Sequence, residues 1–282
     1  MAKVDKSQYT KEEWHRIRAE RRRQKEDDRR RKSLEETKAQ PAPSISTEEK
    51  NYVVCLKFGN KYGPEYVNTL KSMVARHCTV PYEFVCFTED SKGLDDDVTV
   101  VPLQVQRELH GWWYKVMFFD PNIPLRGNIL FMDLDVVVFR NIDNLFTFHP
   151  DKFCIIRDFN RSIRRDWKRM NSSVFRLRAG AHPHVYKEFM KNPQDHVRRM
   201  HGDQDWIYAQ MQNQEFMFWP EEWIQSYKWE MRDRKDLVRT NSGRNFKNKT
   251  DPIVKPETSI AVFHGEPQPH QVLDDWVVDN WK

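Results

Sequence analysis

An α/β domain with a mixed, mostly parallel central sheet flanked by helices is the fold class the sequence predicts, and three observations predict it. Strand-length apolar runs alternate with a helical pattern between residues 52 and 103, the order that builds βαβ units. The longest run, ILFMDLDVVVF at 129–139, reads as a buried central strand. The first 47 residues are of another kind: ten Lys or Arg and four Asp or Glu lie between Trp14 and Lys32, and QPAPSIST closes the segment. The expected organisation is a charged N-terminal arm and linker over 1–47 and one domain over 48–282.

Composition narrows the class. The chain has 282 residues, 38% of them hydrophobic and 32% charged, enough for one sizeable core. Its net charge of +5 is unevenly placed: residues 1–50 hold 15 Lys and Arg against 11 Asp and Glu, and the rest hold 32 against 31. A nearly neutral domain argues against a nucleic-acid-binding core, which needs a basic face. The arm reads either as a solvated tail or as a basic contact for an anionic surface or partner.

Cys55, Cys78, Cys86 and Cys154 form no C-x-x-C pair, so buried thiols in a reducing compartment are expected. No run approaches the ~20 apolar residues that span a bilayer, and no signal peptide is visible. The expectation is a soluble, cytoplasmic protein without a transmembrane segment. Asn160, Asn171 and Asn248, each opening an N-x-S/T triplet, then carry no weight as glycosylation acceptors.

The elements follow in order. YVVCLKF (52–58) is a short buried strand, and FGNKYGP supplies a glycine-containing turn. From Pro64 a helix is expected with Val67, Leu70, Val74 and Cys78 on one face. EFVCFTED (83–90) and VTVVPL (98–103) are the next strands. GWWYKVMFFDP (111–121) reads as a short helix whose Trp112, Trp113, Phe118 and Phe119 are core residues, with a ligand platform as the alternative. Lys115 is its one cation. After the 129–139 strand come FCII (153–156), another strand, and a stretch with six Lys or Arg and two Asp over 157–169. That stretch is either a solvated loop or a flap over an anionic ligand. NSSVFRL (171–177) is a strand; HPHVYKEFM and GDQDWIYAQM (202–211) are helices. Asp203 and Asp205 there read as caps or as site groups. IAVF is the last buried strand, and His264 follows it at once.

Asp133 and Asp135 are the residues hardest to explain as packing. A buried, unpaired carboxylate costs several kcal/mol unless a cation or hydrogen bonds compensate. A hard divalent cation such as Mg²⁺ or Mn²⁺ does so, shared between carboxylates and a substrate phosphate. The alternative is a strand that ends here with both acids solvated or capping a helix. Ligands of parallel sheets collect at the carboxyl ends of strands, which puts the loop after Phe58 and the two acids in one crevice.

These segments together resemble the GT-A (Rossmann-like) class of nucleotide-sugar glycosyltransferases, most closely the glycosyltransferase family 8 type and its bacterial and phage relatives. The resemblance covers about residues 50 to 276 and rests on YVVCLKF, GWWYKVMFF, LFMDLDVVVFRNIDNLF, NSSVFRL, GDQDWIY and VFHGEPQPH in that order. It implies a retaining transferase moving a hexose from a nucleoside-diphosphate sugar, a UDP-sugar first, to a glycan, protein or other hydroxyl acceptor, in a bacterial or phage-infected cell. It implies Mn²⁺ or Mg²⁺ on Asp133, Asp135 and His264. It places Phe58, Asn60, Lys61, Tyr62, Lys115, Asn171, Ser172, Lys228 and Gly265 around the donor, and Asp133, Asp135, Asp203 and Gln204 in the catalytic centre.

One departure stands out. The family ending carries a Lys that reaches a phosphate, whereas here Gly265 directly follows His264, with Glu266 and Gln268 beyond. Either Lys228 or the arginine-rich stretch Arg161 to Arg169 supplies the cation, or donor binding is weakened. Two rival functions stay open: a sugar nucleotidyltransferase, and a degenerate transferase domain acting as a binding or assembly module.

Overall fold

The computed structural model describes residues 49–104, 109, 111–232, 237–240, 243–246 and 252–282, with Glu13 and Gln24 alone in the arm. The expected arm and linker therefore lie outside the described residues.

The apolar run at the domain start forms β1 (Lys50–Lys57), with Val53, Val54 and Cys55 fully buried. Helix α1 (Pro64–His77) follows, with Pro at its start and Tyr66, Val67, Leu70, Met73 and Val74 turned inward. Proline is at ease there because the first-turn N–H has no helical acceptor. Strands β2 (Glu83–Thr88) and β3 (Thr99–Pro102) complete the first half. The GWWYKVMFF segment is a nine-residue 3-10 helix, Gly111–Phe119. It leads to β4 (Gly127–Met132), which pairs parallel with β1 from Lys50↔Gly127 to Val54↔Phe131.

The 129–139 run is not one strand. It breaks at Asp133–Leu134–Asp135 into β4 and β5 (Val136–Val138), which belong to different sheets. Apolar residues on both sides of the break are buried, so the hydropathy is continuous while the hydrogen bonding is not. The two acids occupy the corner, the one place in the run where side chains escape both sheets.

The second half runs α2 (Asn144–Thr147), β6 (Phe153–Arg157), a 3-10 turn (Phe159–Ser162), β7 (Met170–Arg178), α3 (Pro183–Lys191), α4 (Pro193–Arg199) and α5 (Asp203–Met211). Short strands β8 (Phe216–Phe218) and β9 (Ile224–Ser226), the hairpin β10 (Leu237–Thr240) and β11 (Gly243–Phe246), β12 (Ile260–Val262) and α6 (Asp275–Val278) finish it. The main sheet has seven strands in the order β3-β2-β1-β4-β7-β6-β8. Strands β3, β2, β1 and β4 are mutually parallel, as are β6 and β8, while β7 is antiparallel to both its neighbours. IAVF does not join this sheet. It forms β12 at the centre of a three-stranded sheet, antiparallel to β5 and parallel to β9.

One face of the main sheet packs on α1 and the small sheet; the other packs on the 3-10 helix, α3 and α5. Where β6 meets β7 the register jumps from Ile155↔Phe175 to Ile156↔Asn171. Ser172–Val174 is thereby released from the β6 ladder beside the Asp133 corner, the kind of bulge that re-aims groups next to a site. All four cysteines are buried and free. No helix among the described residues is long and apolar enough to cross a membrane.

Candidate active site

The site grows from the corner between β4 and β5. The Asp133 amide donates to the Ser173 carbonyl (2.8 Å), which ties the corner to the bulge in β7. The Lys115 ammonium reaches the Asp133 carboxylate at 2.7 Å, and the Ser172 hydroxyl and carbonyl at 3.3 Å. Burial opposes the Lys115 charge, but the carboxylates of Asp133, Asp203 and Asp135 outweigh it and raise its pKa. Asp133 is pushed the other way from a normal carboxylate: burial raises its pKa, against the pull of Lys115.

Asp203 opens α5 but does not act as the cap, since the cap position is Gly202. Its carboxyl is buried and bonded to Ser172, with burial raising its pKa and Lys115 opposing, and its Oδ2 has no partner. An orphaned buried oxygen asks for a ligand or a water. Beside it the Asn171 amide donates to the Gln204 oxygen at 3.4 Å. The structure thus brings Lys115, Asp133, Asn171, Ser172, Asp203 and Gln204 to one place.

Asp135 faces the β1 loop. The Tyr62 hydroxyl donates to its Oδ2 at 2.9 Å, and burial with the Asp135 charge raises the Tyr62 pKa. Phe58 packs on Tyr114 with ring centroids 4.7 Å apart. Asn60 is exposed, and so is Lys61, whose ammonium lies over the Tyr62 ring. The Gly59 amide donates to the Glu89 carboxylate at 2.6 Å. A phosphate loop would aim that amide at its ligand, whereas here Glu89 engages it.

His264 enters from the small sheet. The Phe263 amide donates to the Asp135 carbonyl at 3.0 Å, which extends the contact of β12 and β5 (Val262↔Val136) to the corner that carries Asp135. Its ring stacks on Phe159 (5.4 Å, 15°), and its Nε2 lies 2.6 Å from the Ser226 hydroxyl. Burial, reinforced by Lys228, pushes its pKa down to about 3, so the imidazole is neutral at pH 7 and able to ligate. Ser226 escaped sequence reasoning, because a serine in a three-residue strand carries no pattern.

Two carboxylates and a neutral imidazole suit Mn²⁺ or Mg²⁺ by donor chemistry. Each head group is engaged by the protein, Asp133 by Lys115, Asp135 by Tyr62 and His264 by Ser226. Among the described residues no group of three or more ligand-type side chains stands assembled for a metal. The donor set fits the ion, and holding it would require exchange of those partners.

The terminal loop carries a cation after all. The Lys228 ammonium donates to the Glu266 carbonyl at 2.8 Å, and a Cβ at Gly265 (φ 86°) would come within 3.4 Å of it. Burial lowers the Lys228 pKa, against Asp135 and Glu266. In the arginine stretch Arg164, Arg165 and Arg169 are exposed, whereas Arg161 is not. Arg161 is buried in a clamp on Glu230 (2.8 Å), and Arg157 binds the Trp167 carbonyl and Glu221, both at 2.6 Å. The buried Gln268 holds the loop through the Gly265 carbonyl at 3.1 Å.

The order and directions of the seven-stranded sheet and its flanking helices show a GT-A fold, as the resemblance implied. Among solved structures, the chain is similar to the galactosyltransferase LgtC in complex with donor and acceptor sugar analogs, at 11% identity and a TM-score of 0.52, over 82% of this chain and 95% of that one. It is also similar to the glycosyltransferase GlyE of Streptococcus pneumoniae TIGR4 (11%, TM-score 0.58, 82% of this chain and 60% of that one). A third is the bifunctional glycosyltransferase WbbM (12%, TM-score 0.51, 84% and 50%). The chain thus spans 60% of GlyE and half of WbbM. No family model and no curated protein matches the sequence.

Proposed function

We propose that the protein is a metal-dependent glycosyltransferase that moves a hexose from a nucleoside-diphosphate sugar, UDP-linked in the first instance, to a hydroxyl acceptor with retention of configuration. One observation carries the reading: Lys115, Asp133, Ser172, Asp203 and Gln204, drawn from four separate segments, converge at the carboxyl edge of the sheet, in a fold shared with LgtC, GlyE and WbbM. A buried cation between a buried and a partly open acid is a poor way to stabilise a fold and a good way to receive a charged ligand.

Asp133, Asp135 and His264 would hold the divalent cation, which supplies positive charge against a departing diphosphate. Lys228 stands at the loop where a phosphate cation is needed. Lys115 keeps Asp133 ionised and oriented. Asn171, Ser172, Asp203 and Gln204 offer the short donors and acceptors that sugar hydroxyls require. The Phe58–Tyr62 loop borders the same crevice and receives the nucleotide. Retention rests on the family likeness.

A screen of nucleotide sugars, reading release of the nucleoside diphosphate with Mn²⁺ present, tests the proposal. Metal-stimulated release from a UDP-hexose is the expected outcome. Pyrophosphate release from a sugar 1-phosphate and a nucleoside triphosphate would replace it with the nucleotidyltransferase.

A further inference from the structure

Trp112 is the large aromatic of the 3-10 helix that the fold leaves outside. It is 53% exposed, whereas Trp113, Tyr114, Phe118 and Phe119 on the same segment are buried, so its sequence assignment to the core is corrected. A 3-10 helix has three residues per turn, and side chains at i and i+3 eclipse. Trp112 therefore stands one turn from Lys115 on the same face, and Lys115 points at Asp133 and Ser172.

Gly202 fixes where the indole lies. A Cβ at Gly202 would meet Trp112 Nε1 at 3.3 Å and Cδ1 at 3.7 Å. Its backbone is extended (φ −174°), a conformation open to any residue, so what the glycine provides is room for the indole. Gly202 is the cap of α5, whose first residues are Asp203 and Gln204. The indole thus sits at the mouth of the site, beside the residues that accept and donate to hydroxyls.

An indole left half in water at that place makes no ring or cation contact among the described residues. A pyranose ring is the complementary shape, with one face of C–H groups and a rim of hydroxyls. Stacking buries the two apolar faces and leaves the hydroxyl rim to polar groups and water at the mouth of the site. A peptide acceptor offers no such face through its backbone. We propose that Trp112 is the stacking platform for a pyranose of a saccharide acceptor. This rests on the glycosyltransferase reading and names its acceptor class.

Saturation-transfer NMR on the full chain tests it, with lactose, maltose, cellobiose, N,N′-diacetylchitobiose and a Gly-Ser-Thr-Gly peptide as probes. At least one disaccharide is expected to show saturation of its ring C–H protons. The signal falls about fivefold or more in Trp112→Ala and returns in part in Trp112→Phe, as a stacking contact requires. Gly202→Ala keeps the indole but presses a methyl on its edge, and it lowers the signal too. Thermal melting shows which variants fold; if Trp112→Ala does not, the other two decide. Silence from every disaccharide, an undiminished signal in the folded variants, or saturation of the peptide alone overturns the platform. Nucleoside diphosphate release by the unaltered protein is read separately. Sugar saturation without that release leaves the platform and removes the transferase, and release without saturation does the reverse.

Discussion

The Lys115 ammonium lies 2.7 Å from the Asp133 carboxylate, with the lysine side chain 7% exposed and the aspartate 24%. Lys115 is thus a buried cation whose nearest compensation is a partly open acid, with Asp203 and Asp135 behind it. Breaking a buried pair costs more than the pair contributes, because one charge is left stranded. Lys115→Met is expected to lower stability by about 3 kcal/mol, measured by urea unfolding. A variant as stable as the parent would show that the acids simply take up protons.

Asp135→Ala removes a proposed metal ligand and the acceptor of the Tyr62 hydroxyl. The expected result is loss of Mn²⁺-stimulated hydrolysis of a UDP-sugar by about 100-fold or more, with the melting transition retained. Undiminished turnover sinks the metal role of this residue.

Ser226 holds His264 Nε2 at 2.6 Å while its own oxygen accepts from the Trp229 amide at 3.1 Å. A metal on that nitrogen has to displace the hydroxyl, and a net hydrogen bond is worth about 1 kcal/mol. Ser226→Ala should therefore tighten Mn²⁺ binding by about fivefold, read by calorimetric titration of the metal. Weaker binding would reverse the assignment, making Ser226 the group that orients His264 through Nε2.

Lys228→Gln removes the cation at the Gly265–Glu266 turn. If this ammonium meets the diphosphate, UDP binding in Mn²⁺ should weaken by about tenfold at low salt and by less at high salt. Thermal shift against UDP concentration follows both. The Arg161 clamp on Glu230 makes the opposite forecast for Arg161→Gln, which should cost stability first.

Asp143 supplies a pH test away from the site. Burial acts against its charge, but hydrogen bonds from the Thr79 hydroxyl, Asn141 and the amides of Thr79 and Val80 hold its pKa well below the usual range. A depressed carboxylate contributes stability that is present above its unfolded pKa and is lost as pH falls toward the folded value. Asp143→Asn should cost about 1–2 kcal/mol at pH 7, and the gap should narrow steadily below about pH 4. A gap independent of pH would contradict this.

Much of the fold and some of the site were legible from residues alone. Strand and helix periodicity placed β1, α1, β2 and β3, because burial on two faces or one leaves a repeat that any reader can count. Asp133 and Asp135 stood out because carboxylates inside an apolar run need a compensating partner. Hydropathy reports burial, however, and not which neighbour is bonded. It could not show that the 129–139 run turns a corner between two sheets, since both arms of the corner are equally buried. Nor could it separate Trp112 from Trp113, which differ only in which side of a 3-10 turn they occupy.

Composition and periodicity determined the α/β class of the domain and singled out Asp133 and Asp135 as carboxylates in an apolar run. Tertiary structure decided the rest: Lys115 on Asp133, Tyr62 on Asp135, Ser226 on His264 and Lys228 at the terminal loop join residues 18, 73, 38 and 38 apart. The physical reason is that a charge or hydroxyl acquires its role from the partner folding brings within about 3 Å, and a linear sequence does not carry that distance.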